Sequence, residues 1–310
     1  MGSVVNEPIA SLFAKNHVTI LVTDSGLGGL GIFAEIAARL KSDPIFPEVS
    51  LIYYNAWPEQ NRGYNSLKDM DERLGVFDRA LEGMKRYRPD IIMIACNTLS
   101  VLYDRTRFSR REHIPVINIV RFGVDMVFEN LSREALVIAV ILGTVTTVAS
   151  DVHRSRLIEK GISPDRLVSQ PCDQLATRIE KGPGSDAVVR LVDTYMEQAV
   201  EKLGATQSKV FAALFCTHFG YCRNLFKEKL ESRIRGPVAV LDPNHRMAAF
   251  LFEVNGGRRH GHTQLDMRVV SRIVWDHTKI DSISGVIEKQ SIETAEALRN
   301  YERIPDLFTF

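Results

Sequence analysis

The hydrophobic positions of this chain fall into short, nearly unbroken runs: Val18–Thr23, Val49–Tyr54, Ile91–Ala95, Val116–Val120, Ala135–Leu142, Val210–Phe215 and Val238–Leu241. Apolar runs without alternation suit strands covered on both faces, as in a parallel sheet. Between them lie segments with helical spacing: Leu30–Leu40, Asp71–Tyr87, Val148–Lys160 and Ala187–Leu203. Strands alternating with helices predict right-handed βαβ units and an α/β class.

The pattern also repeats. Cys96-Asn97-Thr98 follows one apolar run and Cys216-Thr217-His218 follows another, 120 positions on. Asp24 and Thr144, each at the end of a run, are also 120 apart, and Pro115 and Pro237 are 122 apart. A nearly constant offset predicts two lobes built on one plan; the generic spacing of strand–turn–helix units is the simpler alternative.

Composition narrows the function. A chain of 310 residues is long for one core, and 45% apolar with 25% charged residues is ordinary for a soluble globular protein. With 39 basic against 38 acidic residues, the electrostatic footprint of a nucleic-acid binder is missing. No apolar run reaches the ~20 residues needed to span a bilayer, and Met1–His17 lacks the pattern of a secretory leader, so a cytoplasmic protein without a membrane partner is expected. Four cysteines (Cys96, Cys172, Cys216, Cys222) are too sparse for a disulfide framework, and no C-x-x-C pair points to zinc. Reduced thiols and no metal are the expectation.

In open α/β sheets ligands bind beyond the carboxyl ends of strands, where Cys96 and Cys216 both fall. A thiol opening a helix meets the positive end of the macrodipole, which predicts a lowered pKa. One such cysteine is ordinarily a small buried hydrophobe. Two at equivalent positions, each followed by polar residues, point instead to chemistry. Asn97, Thr98 and Thr217 are capping and anion-binding types, and His218 is placed to share a proton with Cys216. The loop Asp24-Ser25-Gly26-Leu27-Gly28-Gly29 lacks both the dinucleotide spacing and the phosphate-loop Lys. Its glycines are expected to let the backbone approach a small substrate, with Asp24 and Ser25 facing the site; Asp24 as a plain helix cap is the alternative.

These segments resemble the signatures of glutamate racemase, within the aspartate/glutamate racemase superfamily. The likeness extends to Leu142-Gly143-Thr144 with Thr147 and Ser150, to Cys172 followed by Ile179-Glu180-Lys181-Gly182, and to Val240-Leu241-Asp242-Pro243 as the strand returning to the first lobe. The resemblance implies two pseudo-symmetric flavodoxin-like lobes, residues 17–119 with 242–310 and residues 120–241, with an active site between them. It implies racemisation without a cofactor, Cys96 and Cys216 acting on opposite faces of the substrate α-carbon. By similarity Asp24 assists Cys96, and Glu180 with His218 assists Cys216. Ser25, Gly63, Asn97, Thr98, Thr144 and Thr217 are implied to hold the substrate. The expected conversion is L-glutamate to D-glutamate, which in this family serves cell-wall peptidoglycan. Aspartate racemisation, decarboxylation or isomerisation of a small diacid, and non-catalytic binding of a carboxylate are the alternatives.

The chain departs from that pattern in places. Asn61-Arg62-Gly63 stands where the family has Pro-Tyr-Gly, and Ala56 replaces an Asp. Arg62 is therefore a candidate partner for a substrate carboxylate, or else a solvated loop charge. His153 replaces a Tyr, and Asp173 replaces the Pro after Cys172. Beyond Phe252 the motifs cover nothing. There Asn255-Gly256-Gly257-Arg258-Arg259-His260-Gly261-His262 reads as a solvated basic loop and Ile292–Tyr301 as an amphipathic helix. Pro305–Phe310 forms an apolar end suited to dock on a lobe or on a second copy, which leaves a homodimer open.

Overall fold

The computed structural model describes residues 7–204, 206–255 and 258–309; Met1–Asn6, Gly256-Gly257 and Phe310, parts of the stretches read above, lie outside them, as does Ala205. The described strands are β1 (His17–Asp24), β2 (Glu48–Asn55), β3 (Ile91–Ile94), β4 (Val116–Asn118), β5 (Ile138–Gly143), β6 (Leu167–Pro171), β7 (Val210–Phe215), β8 (Val238–Leu241), β9 (Gln264–Ser271) and β10 (Glu302–Arg303). They form a six-stranded sheet, β10-β9-β2-β1-β3-β4, and a four-stranded sheet, β6-β5-β7-β8. All ladders are parallel. The order β2-β1-β3-β4 is repeated by β6-β5-β7-β8, so Asp24 and Thr144 end or follow matching strands, as do Cys96 and Cys216.

Both faces of each sheet are apolar because helices cover both. On β1 and β2, Val18, Ile20, Val22, Leu51 and Tyr53 face one core with Phe33 and Ile36 of the helix Leu30–Ser42. Leu21, Ile52 and Tyr54 face the other core with Phe77 and Leu81 of the helix Met70–Met84. That second core also takes in Ile141 of β5 and Phe211 and Phe215 of β7, so it runs from one lobe into the other. Period-two side-chain alternation with both sets apolar is what produced the unbroken runs in the sequence.

Several boundaries differ from expectation. The run at 116–120 ends as a strand at Asn118, and Ile119 opens a helix. The strand expected from Ala135 starts at Ile138, and Leu136 is left exposed. The helix expected at 148–160 is two, Val145–Ala149 and Val152–Glu159, broken where Asp151 takes a left-handed φ of 55°. The strand ending at Leu241 belongs to the second sheet; the helix Asn244–Asn255 after it makes the return by packing on Leu30–Ser42. Strand β6 escaped notice because its Val168, Ser169 and Pro171 are only partly buried at the sheet edge.

The carboxyl-terminal segment is an integral part of the first lobe. Strand β9 pairs along the whole of β2, from Glu48↔Gln264 to Asn55↔Ser271. The helices His277–Ile287 and Ile292–Arg299 follow and pack on the same core through Ile283 and Leu298. Asp266 and Arg268 interrupt the apolar pattern of β9, and Arg268 pairs with Glu302 of β10 at 2.6 Å, which hid the strand from a hydrophobic reading. Leu307 and Phe308 are buried, with Phe308 stacked on Tyr54 at 6.2 Å, so the apolar end docks on its own lobe. No helix among the described residues is long and apolar enough to cross a membrane.

This docking gives a prediction at Gly83. Replacing a helical Gly with Ala ordinarily adds about 0.5–1 kcal/mol of stability. Here the new Cβ would sit 2.5 Å from the Tyr54 hydroxyl and 2.6 Å from the Leu307 carbonyl. Gly83→Ala should therefore lower the urea midpoint, by an overpacking cost of about 1–3 kcal/mol. An unchanged or raised midpoint would show that the end of the chain does not pack there.

Candidate active site

Four strands end at one place. Strand β1 delivers Asp24 and the loop Ser25–Gly29, β3 delivers Cys96, β5 delivers Thr144, and β7 delivers Cys216. Cys96 caps the helix Asn97–Tyr103, and Thr144 caps Val145–Ala149 by accepting from the Thr147 N–H. Cys216 opens a 3-10 turn, Thr217–Cys222, not the α-helix expected; the helix begins at Arg223.

These ends line one cavity of about 280 Å³, at the small end for ligand sites. Asp24, Ser25, Gly63, Cys96, Asn97, Thr98, Thr144, Glu180, Cys216, Thr217 and His218 all border it. Arg62 does not. Its guanidinium pairs with Glu72 at 2.8 Å, outside the lining, so the arginine read as a candidate carboxylate partner is turned to its own lobe.

Sequence reasoning also passed over lining residues. Trp57, Tyr64, Asn65 and Ser66 come from the loop after β2, and Gln174 and Thr177 from the segment opening the helix Leu175–Lys181. Asn61 and Asp173, read only as departures from the family pattern, border the cavity as well. For the others the sequence signal was position in the segments that follow strand ends.

The two thiols have different neighbours. Cys96 Sγ is 3.2 Å from Ser25 Oγ, while Asp24, expected to assist it, instead accepts from Thr217 Oγ1 at 2.8 Å and from the Gly26 N–H at 2.9 Å. Burial, then the nearby Asp24 carboxylate, pushes the Cys96 thiol well above its ordinary range. This reverses the lowered pKa expected of a helix start: the dipole of a seven-residue helix does not outweigh desolvation beside an anion. Burial also raises Asp24, against His218, Gly26 and Thr217.

Cys216 Sγ lies 3.6 Å from His218 Nδ1, and His218 Nε2 lies 2.9 Å from Glu180 Oε1. Burial alone would lower His218, but the bonds and charges of Cys216 and Glu180 outweigh it and hold the imidazole well above its usual range. Burial would likewise raise Glu180, yet His218 and Lys279 bring it down to about 2. Glu180 Oε1 also accepts from the Leu27 N–H at 2.9 Å, and Lys279 Nζ donates to Oε2 at 2.7 Å.

The glycine loop borders the cavity through Asp24, Ser25 and Gly26, and its glycines have a second purpose. A Cβ on Gly28 would fall 2.5 Å from His218 Nδ1, and one on Gly26 would fall 2.5 Å from Glu180 Oε1. The glycines let the first lobe's backbone close on the second lobe's His218 and Glu180. His153 likewise has a structural place: its Nε2 lies 3.0 Å from Asn97 Oδ1, and its ring stacks on Phe215 at 4.1 Å. Burial lowers its pKa to about 3, so it is neutral and donates through Nε2, which fixes the Asn97 amide. Asn97 Nδ2 and the Tyr64 hydroxyl are then buried without a protein partner, donors available to a ligand.

No family profile matches the chain. It is 32% identical over 144 residues to the glutamate racemase of Campylobacter jejuni, an alignment covering 45% of this chain and about half, 52%, of that enzyme. It is 25% identical over 240 residues to the glutamate racemase of Persephonella marina, covering 77% and 83% of the two chains. The crystal structure of the Campylobacter jejuni enzyme superposes with a TM-score of 0.65 at 21% identity, over 92% of this chain and all of that one. The chain is a divergent relative of the glutamate racemases. Its two-lobed α/β fold is theirs, and its relatives are amino-acid racemases, which are isomerases.

The buried ion network should shape the acid stability of this racemase relative. Glu180 has a folded pKa below its unfolded value of 4.5, so its contribution is present above pH 4.5 and is lost as pH falls toward about 2. Urea midpoints of the wild type and Glu180→Gln should therefore converge over that window. Parallel pH profiles would mean that folding does not shift the Glu180 pKa, and a gap that widens as pH falls would mean that it is raised rather than lowered.

Proposed function

We propose that this chain interconverts the enantiomers of an acidic amino acid, glutamate foremost and aspartate second, through proton transfer by Cys96 and Cys216. The observation that carries the reading is the pair of thiols at equivalent strand ends of two lobes, bordering one small cavity. An α-carbon held between them presents its hydrogen to one sulfur and its opposite face to the other.

In the forward direction one cysteine, as thiolate, takes the α-proton; the C–H bond breaks and its electron pair is delocalised into the carboxylate. The other cysteine's S–H gives its proton to the opposite face, forming the new C–H bond and leaving a thiolate. The reverse reaction exchanges the roles. The α-proton beside a carboxylate is weakly acidic, so the base must be oriented and shielded from water. Donors fixed around the cavity must also meet the growing negative charge. In this reading the Asn97 amide, buried without a protein partner, is such a donor, and Ser25, Thr98, Thr144 and Thr217 border the substrate beside it, with Thr98 and Thr144 joined at 2.9 Å across the lobes.

Cys96 faces a carboxylate and a hydroxyl, whereas Cys216 faces an imidazole backed by Glu180. The Cys216 side therefore has its own proton relay. The substrate side chain is assigned to the end bordered by Trp57, Asn61, Tyr64, Asn65 and Ser66. No lysine or arginine borders that cavity among the described residues, so a side-chain carboxylate would be held by amide, hydroxyl and backbone donors.

The test is racemisation in heavy water without added cofactor, following optical rotation and α-deuterium uptake from either enantiomer. Cys96→Ala and Cys216→Ala should each lower the rate by roughly a hundredfold to ten-thousandfold. Wild-type rates in both variants would refute the two-thiol mechanism. Exchange with alanine but neither glutamate nor aspartate would refute the acidic substrate.

A further inference from the structure

Lys279 belongs to the carboxyl-terminal segment that the repeated motifs leave uncovered. It sits in the first turn of the helix His277–Ile287, whose N-cap is Asp276. Its ammonium reaches across the lobe boundary to Glu180 Oε2 and lies 5.8 Å from the Trp57 ring. Lys279 does not border the substrate cavity. Glu180 Oε1 is meanwhile occupied by the Leu27 N–H and His218 Nε2, and His218 Nδ1 faces Cys216.

We propose that Lys279 is a positioning residue for the Cys216 half of the reaction, holding the Glu180 carboxylate turned so that His218 presents Nδ1 to the thiol. The inference rests on the racemase reading and adds a residue to it. A carboxylate bonded through one oxygen can rotate about its last torsion; bonds on both oxygens set its plane, and that plane sets the imidazole. Without Lys279, Oε2 would be a buried anionic oxygen with no donor among the described residues.

The charged and titratable groups acting on Glu180 are His218, Lys279 and, more distantly, Asp24, Tyr53 and Tyr221; those around Lys279 are Glu180 and Asp276, the latter also facing Lys181. His218 and Lys279 keep Glu180 ionised against the effect of burial. Removing the ammonium raises the pH at which Glu180 takes up a proton, so the acid limb of activity moves to higher pH.

The experiment compares wild type, Lys279→Met and Lys279→Arg for kcat and KM with both enantiomers, from about pH 3 to pH 10, so that the Glu180 carboxyl is bracketed together with the thiol and imidazole groups. Lys279→Met should lose about 10- to 100-fold in kcat with KM little changed, and its acid limb should move upward. Lys279→Arg should restore the limb. Because the two enantiomers are equal in energy, kcat/KM must fall equally in both directions. If Lys279 acts through Glu180, the double variant Glu180→Gln/Lys279→Met is no slower than Glu180→Gln alone. Wild-type kcat with an unmoved limb in Lys279→Met, or losses that multiply in the double variant, would overturn the proposal. Lys279→Gln, which keeps a donor but not the charge, carries the same test if the Met variant does not fold. No exchange in the wild type overturns the racemase reading itself; exchange there with an unaffected Lys279→Met overturns only the role of Lys279.

Discussion

Glu180 is a carboxylate buried where the two lobes meet, and the site is arranged around keeping it charged. An unpaired buried carboxylate costs several kcal/mol, whereas hydrogen bonds to a charged group contribute about 1.5–3 kcal/mol each. Glu180 has three partners: the Leu27 N–H from the glycine loop, His218 from its own lobe, and Lys279 from the last third of the first lobe. Satisfying it therefore requires both lobes and the carboxyl-terminal segment together. It also requires Gly26, whose missing side chain leaves room for the carboxylate oxygen. In the role proposed for Lys279, the same contacts that make Glu180 tolerable also set the imidazole facing Cys216.

The duplicated plan does not extend to the chemistry around the thiols. Matching strands place Cys96 and Cys216 alike, but Cys96 stands beside Ser25 and near Asp24, and Cys216 beside His218. In the racemisation proposed here, such asymmetry is compatible with a symmetric overall equilibrium, because the equilibrium is set by the substrate and only the heights of individual steps are set by the protein. Asp24 sits at the crossing point. It is held by the Gly26 N–H and by Thr217 of the other lobe, so it couples the loop after β1 to the turn carrying Cys216.

The carboxyl-terminal segment shows how an unremarkable sequence acquires a role. Strand β9 extends the first sheet beyond β2, and the two helices after it are pinned by Ile283 and Leu298 against the core. That anchoring brings Lys279 to the lobe boundary and closes the docking of Leu307 and Phe308. Arg62 went the other way: it looked like a ligand by position, yet Glu72, ten residues on in the same lobe, takes its guanidinium.

The sequence by itself determined the α/β class, the repeated two-lobe plan and the two cysteines at equivalent strand ends. Apolar runs of strand length record sheets covered on both faces, and a constant offset records a repeated plan; both are local or periodic properties. What only the tertiary structure decided were the partners. Arg268 concealed β9 because its charge is satisfied by Glu302, 34 residues away. The lowered pKa expected at Cys96 was overturned by burial and by Asp24, which arrives from another strand. Lys279 meets Glu180 across 99 positions of chain. Such pairings leave no periodicity to read, because their energy comes from desolvation and geometry that exist only once the lobes have closed.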